Sequence, residues 1–243
     1  NARPVLSFVI LGMVFGGVVA GGIGLLIENL DDTIKSSDQV AQVLDLRIIG
    51  EIPRFGRRGD DYAGHLIGPD NVLLPFVDHY QMLRTNLQFD RPKGEKPLYF
   101  ITSPLKGEGK TLTAVNLSII MALHDSNVLL IDGDLRQPSL QDVFEVNNDT
   151  GLSTLLSLRS KQSFNGASRN DYEELVHNTL PELLKPTHVS NLKLLTSGEA
   201  STNVTQLADS NYMSRVINAI MRHADIDIIV IDGPPSLITA DAG

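Results

Sequence analysis

Hydrophobic positions fall into two regimes along the chain. Pro4 to Ile27 is one uncharged run, apolar but for Ser7, the pattern of a helix that is apolar nearly all round. From residue 98 onward the apolar positions come as short runs instead. Leu98–Thr102, Val128–Ile131, Asn191–Thr196 and Ile226–Ile231, broken only by Asp227, are each bounded by polar or glycine-rich segments and read as buried strands. Between them, Leu112–Leu123 and Ser210–Met221 carry helical periodicity, and Val77–Gln88 reads as a further helix. Strands alternating with helices predict an α/β fold, a doubly wound and mostly parallel sheet. Residues 158–190 read as a less regular insertion with helical pieces.

The segment joining the two regimes is mixed. Ser36 and Gln39 stand at capping-box spacing and predict a short helix through Leu44. Leu46–Ile52 reads as strand-like or extended, ended by Pro53. Residues 53–76, rich in Gly, Pro, Arg and Asp, read as loop, and Arg91–Pro97 as a polar stop. Three parts follow: 1–29, a transmembrane helix with its flank; 30–96, a juxtamembrane linker with short helices; 97–243, the α/β domain.

The first part has the dimensions of a membrane span. Its 24 residues without a charge make a helix about 36 Å long, against a hydrocarbon core about 30 Å thick. A signal peptide has a shorter apolar core and a basic flank, which this run lacks. Gly12 and Gly16, and again Gly17 and Gly21, stand four apart, a spacing that lets membrane helices approach closely. The basic residues after the run (Lys35, Arg47, Arg54, Arg57 and Arg58) against Arg3 before it favour a cytoplasmic C-terminal side.

Charge and composition narrow the function. The chain carries 20 basic and 29 acidic residues, and Arg3 is the one charge in residues 1–27, so residues 28–243 hold −10. An acidic surface argues against nucleic acid as a partner, but not against a nucleotide, whose phosphates are met locally. Zero cysteines exclude disulfides, thiolate metal sites and a cysteine nucleophile. His79, His124 and His223 show no metal-ligand spacing. The chain starts at Asn1 and stops at Gly243, just past an apolar run, and reads as a piece of a longer protein whose α/β domain is incomplete at its C-terminus.

The candidate chemistry sits at three strand ends. Leu98–Thr102 leads into Ser103-Pro104-Leu105-Lys106-Gly107-Glu108-Gly109-Lys110-Thr111 and then into the Leu112 helix. This is the strand, glycine-rich loop, helix context of a P-loop. Gly107 and Gly109 let backbone N–H groups crowd a phosphate, Lys110 supplies positive charge, and Thr111 offers a hydroxyl to Mg²⁺. The residues from Gly107 through Glu108 and Gly109 to Leu112, with Asp232, are the expected ATP contacts. The usual first glycine of the motif falls on Pro104. Val128–Ile131 ends in Asp132-Gly133-Asp134-Leu135-Arg136, and Ile226–Ile231 ends in Asp232-Gly233-Pro234-Pro235. In a parallel sheet these positions line the ligand crevice, so Asp132 and Asp232 face the phosphates and their metal.

With these motifs on the page, the chain resembles the bacterial tyrosine kinases of the polysaccharide co-polymerase type over almost its whole length. The apolar run followed by Glu28–Ile34 is similar to the family's second membrane helix and exit. Residues 46–53 are similar to its segment ending in Gly-x-Ile-Pro, and Leu83–Leu87 to the helix before the phosphate-binding strand. The three site motifs are similar to its modified Walker A, additional aspartate and Walker B motifs. The resemblance implies a P-loop NTPase-type domain in the cytoplasm, anchored in the bacterial inner membrane. It implies ATP and Mg²⁺ as cofactors and autophosphorylation on a tyrosine-rich tail of neighbouring subunits. Control of exopolysaccharide or capsule chain length and export follows, with the polymerisation machinery and a tyrosine phosphatase as partners. Lys110, Asp132 and Asp134 carry the catalytic roles and Thr111, Asp132 and Asp232 the metal. The chain departs from the family at Asp78, Gln81 and Arg84, where the oligomerisation helix usually reads Glu-x-x-Arg-x-x-Arg. It departs again at Ser201–Val204, where only Asn203 is retained, and it has no tyrosine cluster. Two readings stand beside the kinase: a membrane-tethered partitioning-type ATPase, and a non-catalytic nucleotide-binding regulator of polysaccharide assembly.

Overall fold

The computed structural model describes residues 3–29, 40, 45–54, 63–68, 75–89, 94, 96–161, 169–199 and 210–237. Two units are present, 1–48 and 49–243. The first holds helix α1, Arg3–Asn29, of 27 residues. Side chains described on it, residues 11–24 and 26, are exposed, and nothing lies against the open positions of Gly12, Gly16, Gly17 and Gly21. Among the described residues no helix is long and apolar enough to cross a membrane. The expected helix from Ser36 to Leu44 lies outside them, apart from Val40, which is helical.

The second unit is a five-stranded sheet in the order β1 (Leu98–Ile101), β5 (Ile228–Asp232), β2 (Val128–Asp132), β4 (Leu192–Leu195), β3 (Lys185–Pro186). The first four run parallel, and β3 pairs antiparallel at the edge. A proline fits there because an edge strand need not donate on both sides. β2 and β5 are buried on both faces, which is why their sequences are continuous apolar runs rather than alternating ones.

Their side chains still divide by period two. Val128 and Leu130, with Ile228 and Val230, face one core, and Leu129 and Ile131, with Ile229 and Ile231, face the other. The first core is covered by α2 (Val77–Phe89) and α3 (Lys110–Ala122), with the short helix α4 (Leu140–Val143) and residues of the 49–67 segment. The second is covered by α5 (Leu152–Lys161), α6 (Arg169–Leu183) and α7 (Ser210–Met221). Each fully buried Leu, Ile or Val here contributes about 1.5–3 kcal/mol from burial.

The expected strands and the helices at 77, 112 and 210 are present within two residues of their predicted bounds. Residues 46–52 form no strand, and a 3₁₀ turn, Ala63–His65, punctuates the expected loop. The insertion is more regular than its sequence suggests. Leu152, Leu155 and Leu156 bury one face of α5, and Tyr172, Val176, Leu180 and Leu183 one face of α6. That face recurs at helical spacing through an otherwise polar segment, and Pro181 falls in the last turn of α6.

Candidate functional site

All the predicted site residues lie at the C-terminal ends of β1, β5 and β2. Asp132 and Asp232 are register partners on adjacent strands, and the Gly133 N–H donates to the Asp232 carbonyl at 2.8 Å. Thr111 enters from α3, and its hydroxyl donates to Asp232 Oδ2 at 2.7 Å across 121 residues of sequence.

The loop before α3 is shaped by glycine. Gly107 and Gly109 take φ of 84° and 86°, left-handed values that strain any residue with a Cβ. Gly109 is the N-cap of α3 and supplies no side-chain cap, so the first-turn N–H groups stay available to an anion. The loop's other groups brace it. Glu108 Oε2 accepts the Leu105 N–H at 2.9 Å, and Ser103 donates to the Leu105 carbonyl at 2.7 Å. Pro104, in the usual first-glycine position, accepts the Leu237 N–H through its carbonyl at 3.0 Å.

Lys110 Nζ lies 3.7 Å from Asp134 Oδ2 and 3.6 Å from Asp232 Oδ1. Both distances are too long for hydrogen bonds, and Asp232 Oδ1, fully buried, has no hydrogen-bond partner. Burial raises the Asp232 carboxyl above the usual range; the Thr111 hydroxyl and the Lys110 charge oppose the shift.

Asp132 is equally buried but differently employed. Its Oδ2 accepts the N–H groups of Ser139 and Leu140, both at 3.0 Å, and its Oδ1 accepts that of Asp134 at 3.2 Å. It thus caps α4 from a distance and leaves one lone-pair direction on Oδ1. Burial, above all, pushes its carboxyl up to about 6, against the lowering effect of those backbone bonds. Asp134 Oδ1 accepts the Gln137 N–H at 3.0 Å and the Arg136 N–H at 3.3 Å.

A cavity of about 830 Å³ opens over these groups, lined by Gly107, Gly109, Lys110, Thr111, Leu112 and Asp134 among others. Asp132 and Asp232, both fully buried, lie behind its wall, and Glu108 is exposed and does not line it. Sequence reading missed Lys106, Gln137, Ser139 and Asp142 on the same cavity. Lys106 donates to Gln137 at 2.6 Å, joining the phosphate loop to the segment after β2. The Ser139 hydroxyl lies 3.4 Å from that of Thr111. Ser139 could have been found as the N-cap residue of α4; the Lys106–Gln137 contact spans 31 residues and has no local signal.

The donor set suits Mg²⁺. Thr111 Oγ1, Ser139 Oγ and the unpartnered Asp232 Oδ1 are hard oxygen donors. Among the described residues no group of three His, Cys, Asp or Glu side chains could hold a metal ion. A cation that takes one or two protein oxygens and completes its shell with phosphate and water fits such a site.

Comparison with known proteins gives the family. Residues 102–241 match the model of the AAA domain family, and the chain belongs to that family. Its relatives are bacterial tyrosine-protein kinases. It is 31% identical over 165 residues to the tyrosine-protein kinase YwqD of Bacillus subtilis (strain 168), covering 68% of this chain and 61% of the relative. It is 26% identical over 244 residues to the tyrosine-protein kinase ptk of Acinetobacter johnsonii, covering 97% of this chain and 30% of the relative. The chain therefore spans under two thirds of the first relative and under a third of the second. The crystal structure of the chimerical protein CapA2B2 superposes with a TM-score of 0.63 at 25% identity, over 83% of this chain and 76% of that one.

Proposed function

We propose that the protein to which this chain belongs is an ATP-dependent protein-tyrosine autokinase. The observation that carries this is the convergence of Lys110, Thr111 and Asp134 on one cavity, with Asp232 held against Thr111 and Lys110, in a chain whose relatives are tyrosine-protein kinases. Lys110 and the first-turn N–H groups of α3 bind the outer phosphates, and Thr111 and Asp232 hold Mg²⁺, with Asp132 Oδ1 beside them. Bound Mg²⁺ supplies charge neutralisation between the β- and γ-phosphates. Asp134 faces the cavity and orients the incoming tyrosine hydroxyl, and Asp132 fixes the segment 134–140 that carries it. Among the described tyrosines, Tyr80 and Tyr172 are buried and Tyr99 and Tyr212 half-buried, and the acceptor in this reading is a tyrosine-rich tail of a neighbouring copy.

The test is full-length protein incubated with labelled ATP and Mg²⁺. Wild type labels tyrosine, and Asp132→Asn loses that labelling by orders of magnitude while remaining folded. ATP hydrolysis by wild type without phosphotyrosine would instead favour the partitioning-type ATPase, and nucleotide binding with neither activity the non-catalytic regulator.

The same reading places Pro4–Ile27 across the bacterial inner membrane, with residues from 28 onward in the cytoplasm and the kinase acting on exopolysaccharide or capsule chain length and export. It is supported by the 24 uncharged residues and by the supply of ATP. A topology reporter fused after Arg58 reads cytoplasmic; an extracytoplasmic signal rejects the orientation.

A further inference from the structure

Helix α3 does more than present Lys110 and Thr111. Asn116, one and a half turns into it, is fully buried, and its amide is used at both ends. Its Oδ1 accepts the N–H of Ile67 at 2.8 Å, and its Nδ2 donates to the carbonyl of His65 at 3.0 Å. These partners are 49 and 51 residues away, in the segment that precedes α2. Ile67 is itself fully buried in the core beneath α3.

The clamp continues towards the phosphate loop. Tyr80, on α2, is buried in the same core as Ile67 and α3. The Thr113 N–H closes the first turn of α3 on the Gly109 carbonyl at 2.9 Å. Asn116 therefore ties residues 65–67 to the helix whose first turn closes on the last residue of the phosphate loop. Nearer the start of this unit, the Asn86 amide donates to the Ile49 carbonyl at 2.7 Å, and His79 Nδ1 lies 2.8 Å from the Glu51 carbonyl. The chain leading away from α1 is thus pinned to α2 and α3 at two places.

A buried amide in the middle of a helix is an unusual choice where Leu would fill the space. Its use is specificity, because a fully satisfied buried polar group selects one arrangement of the backbone it binds. Here that backbone is not part of the sheet or of the nucleotide cavity.

We infer that Asn116 is a positioning residue for the nucleotide site, making residues 63–68 a strut of the phosphate loop, so that docking of this segment and nucleotide binding stabilise one another. The inference rests on the nucleotide reading above and adds to it a coupling between that site and the chain that connects to α1. Reciprocity follows from linkage: whatever the docked segment adds to nucleotide affinity, bound nucleotide adds to docking.

Two measurements on the whole chain test it. Amide exchange under native conditions reports the Ile67 N–H directly. Mg-ATP slows its exchange at least fivefold in wild type, the low end of ordinary coupling, and does not do so in Asn116→Leu. Equilibrium binding supplies the reciprocal: Asn116→Leu weakens Mg-ATP by about tenfold, and Asn116→Asp, which keeps the acceptor for Ile67 but loses the donor to His65, falls between. Val176→Ala, in the core on the opposite face of the sheet, lowers stability and leaves Mg-ATP affinity unchanged, separating coupling from general loosening. Wild-type affinity in folded Asn116→Leu, or exchange at Ile67 indifferent to Mg-ATP in wild type, overturns the inference while the nucleotide site stands. Should Asn116→Leu fail to fold, the wild-type exchange measurement decides alone. Wild type that binds no Mg-ATP removes the nucleotide reading and the inference with it.

Discussion

Two strand ends of the same parallel sheet are built from similar parts and left in opposite states. At the end of β4, Thr196, Ser197 and Gly198 are buried, and their polar groups are paired. Asn148 Oδ1 accepts the Gly198 N–H at 2.9 Å and the Ser197 hydroxyl at 3.2 Å, and Asn148 Nδ2 donates to the Gly198 carbonyl at 3.1 Å. Lys185 Nζ donates to Thr196 Oγ1 at 2.9 Å and to the Asn147 carbonyl, and Thr196 Oγ1 donates to the Thr150 carbonyl at 3.0 Å. At the ends of β2 and β5, Asp132 and Asp232 are also buried, yet Asp232 Oδ1 has no hydrogen bond and Lys110 stays 3.6 Å from it, an ion pair beyond hydrogen-bond distance. A closed polar network stabilises and fixes a fold; an open one, next to a cavity, stores unsatisfied polarity that a ligand can satisfy. The contrast sets a closed strand end apart from a candidate functional one without appeal to motif.

Substitutions can break this contrast from either side. The largest effect belongs to Lys110→Met, which keeps bulk and removes the charge at the outer phosphates. Mg-ATP affinity should fall by about 100-fold, the loss of roughly 3 kcal/mol of charge-assisted bonding, with the melting temperature little changed. Equal affinity in the two proteins would close the cavity as a phosphate site.

A pH titration sharpens the difference in burial. The Asp132 carboxyl is raised from 3.8 to about 6 in the folded protein, so the native state holds a proton that the unfolded state has lost between those values. Its contribution to stability is full below about pH 4, declines as pH rises, and is gone above about pH 6. Wild type minus Asp132→Asn should therefore lose about 3 kcal/mol of relative stability from pH 4 to pH 7 without nucleotide. A flat difference would show that the carboxylate is better solvated than its place behind the wall implies.

The closed end responds to shape rather than charge. A Cβ on Gly151 would lie 2.0 Å from the Thr196 carbonyl oxygen, a backbone atom that cannot rotate away. Gly151→Ala should cost about 2 kcal/mol in denaturant unfolding and leave Mg-ATP affinity within about twofold. A matching loss of affinity would mean that the two strand ends are one cooperative site.

The sequence made the open end legible and the closed end not, for reasons of range. Lys110 and Thr111 follow a strand and open a helix, and Asp132 and Asp232 end apolar runs, so local pattern locates all four. The strands β2 and β5 announce themselves because burial on both faces leaves no polar position to interrupt them. Contacts across long stretches of chain leave no such mark. Asn148 with Ser197, Asn116 with Ile67 and Lys106 with Gln137 join residues 31 to 49 apart, and each looks like an ordinary polar residue in its own segment. Helix α6 shows in the sequence only as a helical piece of an irregular insertion, since its buried Tyr172, Val176, Leu180 and Leu183 are separated by charged and amide residues and followed by a strand of two. The capping of α4 by Asp132 was hidden because the capping residue lies seven and eight residues before the N–H groups that it binds.

The most direct test of the account is Asp232→Asn, read for stability and for binding in the same preparation. Asparagine keeps an oxygen for the Thr111 hydroxyl and removes a buried charge whose Oδ1 has no hydrogen bond. The account predicts a melting temperature that rises, by about 2–4 °C for each 1 kcal/mol recovered, together with Mg²⁺-dependent ATP binding that is lost. A variant that melts lower than wild type and binds Mg-ATP as tightly would contradict it, placing Asp232 among the groups that hold the fold and not among those that hold the ligand.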